Sequence, residues 1–294
     1  MKRIGICFPE RDFKKLDFEE FQKYLNDFKE AGITSFDFYT SLFLNLDEKL
    51  EKLVLFLNEN DLKITFHYQS HDDHIDREDY SLVLENYKND LYMVHNNLKK
   101  LNIEYKIPIV FHGINYIDAS KKYQHKLNLI NIYKELCEYT KGFNFEILIE
   151  TLSYNHPKGL HIGDDLSEIN TLLNKVDVDN FGICWDIGHT RLNNIETKTQ
   201  LYLPSKIIDN IKFTHIHNII LDKRSNCYLE HLPFTDMDYQ DEELKYLVEN
   251  KYSGIYSIEF NTNDLEENIL VYLNSIKLLK NCLNNLEEEI VWKK

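Results

Sequence analysis

Six times in this chain a short apolar run ends in a histidine, an aspartate or a glutamate. Lys63-Ile64-Thr65-Phe66 runs into His67, and Ile107-Pro108-Ile109-Val110-Phe111 into His112. Phe145-Glu146-Ile147-Leu148-Ile149 ends in Glu150, and Gly182-Ile183-Cys184-Trp185 in Asp186, with Ile187-Gly188-His189 directly behind. Ile211-Lys212-Phe213-Thr214 runs into His215, and Ile255-Tyr256-Ser257-Ile258 into Glu259. An apolar run of about four to eight residues between breakers reads as a buried strand. The fourth run is the richest, because it delivers a carboxylate and an imidazole together where the strand turns into a loop. Six strands with ligand-type side chains at their carboxyl ends describe the floor of one site.

Two more strand-like runs complete a set beginning near residues 4, 35, 63, 107, 144, 181, 212 and 255, at intervals of 28 to 44 residues. Segments with apolar residues at helical spacing lie between them. These are Phe18 to Lys29, Glu78 to Leu101 (with Asp76 or Asp79 as caps), Ser120 to Thr140, Asp165 to Leu173, Asp241 to Val248 and Leu265 to Leu279. Thr199 to Ile208 is a weaker segment of the same kind. Strict alternation implies a parallel sheet, and eight units in 294 residues favour closure into a (β/α)8 TIM barrel. An open doubly wound sheet would normally carry a glycine-rich phosphate loop after its first strand. Here Pro9-Glu10-Arg11-Asp12 follows Phe8. No linker or composition break divides the chain, so residues 1–294 are expected to form a single barrel domain.

Charge and cysteine usage narrow the function classes. The chain carries 49 acidic residues against 34 Lys and Arg, a net charge of −15. A nucleic-acid partner needs a basic face, and the lysines here are interleaved with acids along helical faces. No apolar run approaches the ~18 residues of a membrane span. The amino terminus passes from Met1-Lys2-Arg3 straight into a strand-like run, without a secretory core. Cys7, Cys137, Cys184, Cys227 and Cys282 are odd in number and have no C-x-x-C spacing, which suits a reducing, cytoplasmic setting.

Strand side chains alternate, so residues two apart share a face. Thr65, Val110, Leu148, Cys184, Phe213 and Ser257 are therefore expected as a packing layer inside the barrel, beneath the crown of His67, His112, Glu150, Asp186, His215 and Glu259. In a TIM barrel the active site lies at the carboxyl ends of the strands. Converging buried carboxylates repel and hold their protons unless a positive charge sits among them. No Lys or Arg ends these strands, so a divalent metal is the expected source of that charge. His95 and His125 fall in helical stretches and read as surface residues. His71, His74, His156 and His161 fall in loops over the mouth.

Taken in order, these motifs resemble the xylose isomerase-like barrel superfamily, which includes sugar-phosphate isomerases and epimerases and the endonuclease IV family. The resemblance is carried by His67, Val110-Phe111-His112-Gly113, Ile149-Glu150-Thr151 and Cys184-Trp185-Asp186-Ile187-Gly188-His189. It continues through His215-Ile216-His217-Asn218, Glu230-His231-Leu232-Pro233 and Ser257-Ile258-Glu259. It implies a metal site of Glu150, Asp186, His215 and Glu259, a mostly hard donor set suited to Mn, Zn, Co or Mg, with no organic cofactor.

In the isomerase branch, a metal on two adjacent sugar oxygens would acidify the intervening C–H and stabilise the resulting enediolate. Glu150 and Glu259 would remove and return the proton. His189 would bind a hydroxyl or the developing oxyanion, supported by His217. Arg224 (or Lys223) would hold a distal hydroxyl or phosphate, and His67, His112 and His231 complete the expected substrate contacts. The implied partner is a small carbohydrate or its phosphate. In the nuclease branch, His67 and His112 would hold a second metal bridged by Glu150, which makes a zinc phosphoesterase the alternative. A third metal there would take His189, His231 and an aspartate at position 229, but this chain has Leu229. The Gly-Glu-Gly loop usual after His-Leu-Pro is replaced by Phe234-Thr235-Asp236-Met237, and the aspartate usual after His-x-His by Asn218. A non-catalytic barrel that binds sugar or metal is a third class, disfavoured by the intact four-ligand set.

Overall fold

All eight apolar runs form strands of one barrel: β1 (Arg3–Cys7), β2 (Ser35–Tyr39), β3 (Lys63–His67), β4 (Ile107–Phe111), β5 (Phe145–Glu150), β6 (Phe181–Asp186), β7 (Ile211–Ile216) and β8 (Ile255–Ile258). The computed structural model describes residues 2–68, 80–113, 115–116, 119–153, 160–197, 207–235, 241–260 and 264–292. Each strand pairs in parallel with its sequence neighbours, and β8 closes on β1 through Arg3↔Ile255 to Ile6↔Ile258. The result is a closed (β/α)8 barrel, because each parallel return needs a crossover and the crossovers are helical.

The helices around the barrel are α1 (Glu10–Lys15), α2 (Phe18–Ala31), α3 (Glu48–Glu59), α4 (Tyr80–Lys100), α5 (Lys122–Thr140), α6 (Leu166–Val176), α7 (Ile187–Thr197), α8 (Asp241–Glu249) and α9 (Leu265–Trp292). Aspartates start five of them: Asp17, Asp47, Asp165, Asp186 and Asp264 each accept a backbone N–H from the first turn, worth about 1 kcal/mol apiece. The last helix runs to Trp292, well past the Leu279 that periodicity indicated. The expected caps Asp76 and Asp79, and residues 199–206 of the weak helical segment, lie outside the described residues.

Alternation sorts the strand residues as expected. Val110, Leu148, Cys184 and Phe213 form a buried cluster inside the barrel with Ile255, and Thr65 and Ser257 are also buried. The outward set, including Ile109, Ile147 and Ile183, joins the larger core under the helices. Two short antiparallel pairs stand outside the barrel: Asn218–Asp222 with Cys227–Leu232, and Asn115–Tyr116 with Leu160–His161. No described helix is long and apolar enough to cross a membrane. His95 and His125 are half-buried rather than on the surface, and His95 stacks on Phe143 with ring centroids 4.2 Å apart.

Candidate metal centre and active site

Glu150 and Asp186 are the last residues of β5 and β6, His215 is the penultimate residue of β7, and Glu259 follows β8 directly. The Glu259 N–H donates to the Ile216 carbonyl at 3.0 Å, which extends the strand pairing to the site. One ligand atom from each of these four residues lies within 4.8 Å of those of the others. His215 Nδ1 is 2.7 Å from Glu150 Oε1 and 3.1 Å from Glu259 Oε2. Its other nitrogen, Nε2, is 3.2 Å from Asp37 Oδ2.

Asp37 was not singled out from sequence. It lies mid-strand in β2 rather than at a strand end, and its Oδ1 accepts the Thr65 hydroxyl at 2.9 Å. A carboxylate at an inward position of Ser35-Phe36-Asp37-Phe38-Tyr39 was the available signal. It fixes which His215 nitrogen faces the carboxylates, a role that partners of metal-binding histidines commonly fill.

Asp186 does two jobs. Helix α7 begins at the next residue, where a loop was expected, and the His189 N–H donates to Asp186 Oδ1 at 2.7 Å. Asp-x-Gly-His is therefore an N-cap as well as a candidate ligand set, and it places His189 in the first helical turn. The His189 ring is held by Nδ1–H donating to the Thr151 carbonyl at 2.9 Å. A Cβ on Gly188 would lie 2.2 Å from the His217 ring, so only glycine lets that imidazole in. His217 in turn places Nε2 3.3 Å from Asp186 Oδ1.

The donor set fits a divalent cation. Burial pushes the Glu259 carboxyl up to about 7, with the charges of Glu150 and Asp186 adding to the effect against the pull of His215. Burial also opposes ionisation of Asp186, but His189 and His217 hold it down at about 2. Glu150, despite its burial, is held well below the usual range by His215 and His112. Burial opposes protonation of His215, yet Cys184, Glu259 and Glu150 raise it well above its ordinary value. Glu150 Oε2, Asp186 Oδ2 and Glu259 Oε2 are buried and accept no well-aligned hydrogen bond among the described residues, although nitrogens of His112, His189 and His215 stand 3.1, 3.3 and 3.1 Å from them. Buried carboxylate oxygens left so are costly, and a cation among them removes that cost.

Two further groups flank this set. His67 and His112 approach with their Nε2 atoms 2.8 Å apart, and lie 3.4 and 3.1 Å from Glu150 Oε2. Burial lowers His67 to about 4, so it is neutral at pH 7. On the other side His189, His217 and His231 cluster. Leu229 is 47% exposed, but Glu230 was missed: its Oε2 lies 3.3 Å from His189 Nε2 and 4.0 Å from His231 Nε2. A carboxylate thus reaches the histidine pair from the neighbouring position. Burial works against protonated His189, but Asp186, Glu230 and Glu150 raise it to about 10. Burial beside His217 and His189 lowers His231 to about 3.

Arg224 and Lys223 are not brought to the crown. Both are exposed at the tip of the hairpin joining Asn218–Asp222 to Cys227–Leu232, where the Arg224 N–H donates to Asp222 Oδ1 at 3.0 Å. His71, His74 and His156 lie outside the described residues, as do Asp236 and Met237.

No curated protein matches the chain in sequence. Among solved structures, an L-ribulose 3-epimerase superposes with a TM-score of 0.66 at 14% identity, covering 100% of this chain and 98% of that one. A D-tagatose 3-epimerase-like protein gives 0.68 at 16% identity, covering 98% and 99%. A probable 3-DHS dehydratase of Bacillus anthracis gives 0.64 at 17%, covering 95% and 98%. At these identities the likeness is one of fold. The family described as xylose isomerase-like TIM barrel matches residues 25–282, and the chain belongs to that family.

Proposed function

We propose that this protein is a divalent-metal-dependent isomerase or epimerase of a small sugar or sugar phosphate. The observation that carries the reading is the convergence of Glu150, Asp186, His215 and Glu259, with buried carboxylate oxygens that accept no well-aligned hydrogen bond among the described residues. The sugar epimerases among the structures of similar fold favour the same chemistry. These four residues would hold the cation, which when bound would draw electron density from adjacent oxygens of a hydroxy-ketone and acidify the C–H between them.

Glu150 ends β5 and Glu259 follows β8, and the two act as base and acid on that C–H. A proton returned to the same carbon from the opposite side gives epimerisation, and one returned to the neighbouring carbon gives isomerisation. His189, protonated and oriented by Thr151, donates to a substrate hydroxyl or to the oxygen where negative charge develops. His67, His112, His217 and His231 line the remainder of the site.

A second reading rests on one specific observation. His67, His112 and Glu150 form their own ligand group beside the first, as a two-metal phosphoesterase requires. Incubation of the metal-loaded protein with ketoses and their phosphates in D2O separates the readings. Deuterium gained at one sugar carbon supports the isomerase or epimerase, whereas phosphate or alcohol release without exchange supports the hydrolase.

A further inference from the structure

The pole of the barrel opposite the crown holds a cavity of about 520 Å³, a volume typical of small-molecule sites. Its wall is built from the amino-terminal ends of the strands. Arg3 opens β1, Lys63 opens β3, Lys106 precedes β4, Lys212 is the second residue of β7, and Lys251 lies shortly before β8. Glu146 and Asp209 are the acids in that wall, so five cations face two anions in a chain whose net charge is −15.

The pairing inside the cavity is incomplete. Lys106 Nζ is 2.7 Å from Glu146, Lys63 Nζ is 2.6 Å from Asp61, and Lys212 donates to the Asp209 carbonyl. Arg3 and Lys251 make no ion pair among the described residues. Tyr105 adds a polar edge: its hydroxyl accepts the Ile64 N–H at 2.7 Å, which directs its own proton elsewhere.

Backbone conformation gives an independent pointer. Non-glycine residues at positive φ are Asp61, Asn102, Asn144, Asp177, Asn226, His231 and Lys251. Five are the Asn or Asp that tolerate this region best. The exceptions are His231, in the crown, and Lys251, at φ 57° in the turn after α8. A lysine stands where asparagine would be less strained, and its side chain lines the cavity.

We propose that the amino-terminal mouth of the barrel binds a small polyanion of the phosphate or diphosphate class. Concave walls focus the field of the excess cations, chiefly Arg3 and Lys251, and Lys and Arg give charge-assisted hydrogen bonds to phosphate oxygens. This site is separate from the metal crown and does not rest on the sugar-isomerase reading.

The test is calorimetric titration of chelator-treated, metal-free protein with inorganic pyrophosphate, which removes the crown as a competing phosphate site. Three proteins are compared: wild type, Arg3→Gln/Lys251→Asn, and the charge-matched control Lys23→Gln/Lys52→Gln, whose lysines are exposed on the outer helices α2 and α3. Asparagine suits the backbone at 251, and matching melting curves confirm that the variants fold. Saturable one-to-one binding in wild type and control, weakened about tenfold or more in the Arg3/Lys251 variant, is expected. No saturable binding to wild type, or equal weakening in both variants, overturns the proposal.

Discussion

His215 Nε2 lies 3.2 Å from Asp37 Oδ2, while His215 Nδ1 faces Glu150 and Glu259. The histidine is thereby held between a supporting carboxylate on β2 and two carboxylates of the crown. Asp37→Ala is expected to weaken divalent-metal affinity about 10- to 100-fold, measured by competition with a chromophoric chelator. Unchanged affinity would mean that Asp37 does not orient His215.

Gly188 and His217 interlock. Gly188→Ala places a Cβ within 2.2–2.6 Å of three atoms of the His217 ring. The expected cost is about 1–3 kcal/mol in urea unfolding, with weaker metal binding because His217 faces Asp186. Wild-type stability in this variant would contradict the packing described.

Metal binding is expected to release protons, with a sign set by the crown. Glu259 is pushed up to about 7 and His215 well above its usual value, so both carry protons in the metal-free protein at pH 6. Asp186, at about 2, and Glu150, lower than usual, carry none. A cation must displace those protons, so affinity rises with pH. The slope falls from about two protons below pH 7 toward about one above it, as Glu259 ionises unaided. Calorimetry in two buffers of different ionisation enthalpy counts the protons, and a pH-independent affinity between 5 and 8 would contradict the assignment.

Glu150→Gln and Glu259→Gln test the two-carboxylate chemistry. Each is expected to lower kcat about 10²- to 10⁴-fold on a turned-over sugar, and the metal content of each variant separates loss of chemistry from loss of metal. Full turnover in either variant would contradict the proposed mechanism.

Much of this architecture was legible because a buried parallel strand has few sequence alternatives. The runs ending in Glu150, Asp186 and His215 announce strand, direction and the polar side chain at the mouth at once. The interior layer of Val110, Leu148, Cys184 and Phe213 followed from alternation alone. Asp37 was harder to see because it sits mid-strand, where a carboxylate reads as a solvated alternation residue until the strand is known to line a barrel. Glu230 depended on hairpin register, in which one residue reverses the facing side chain. Arg224 was misplaced for a related reason, since its distance from the crown is set by the length of a hairpin that the spacing did not show. The immediate start of α7 was hidden in the Asp-x-Gly-His motif, where the proposed ligand and the helix cap are the same aspartate.

The most direct test of the central claim is metal content per chain, by elemental analysis of protein purified without chelator and again after reconstitution. We expect one tightly held divalent cation in the wild type, and its loss in an Asp186→Ala/His215→Ala variant that still folds. A wild-type protein that binds no divalent cation even after reconstitution would contradict the account.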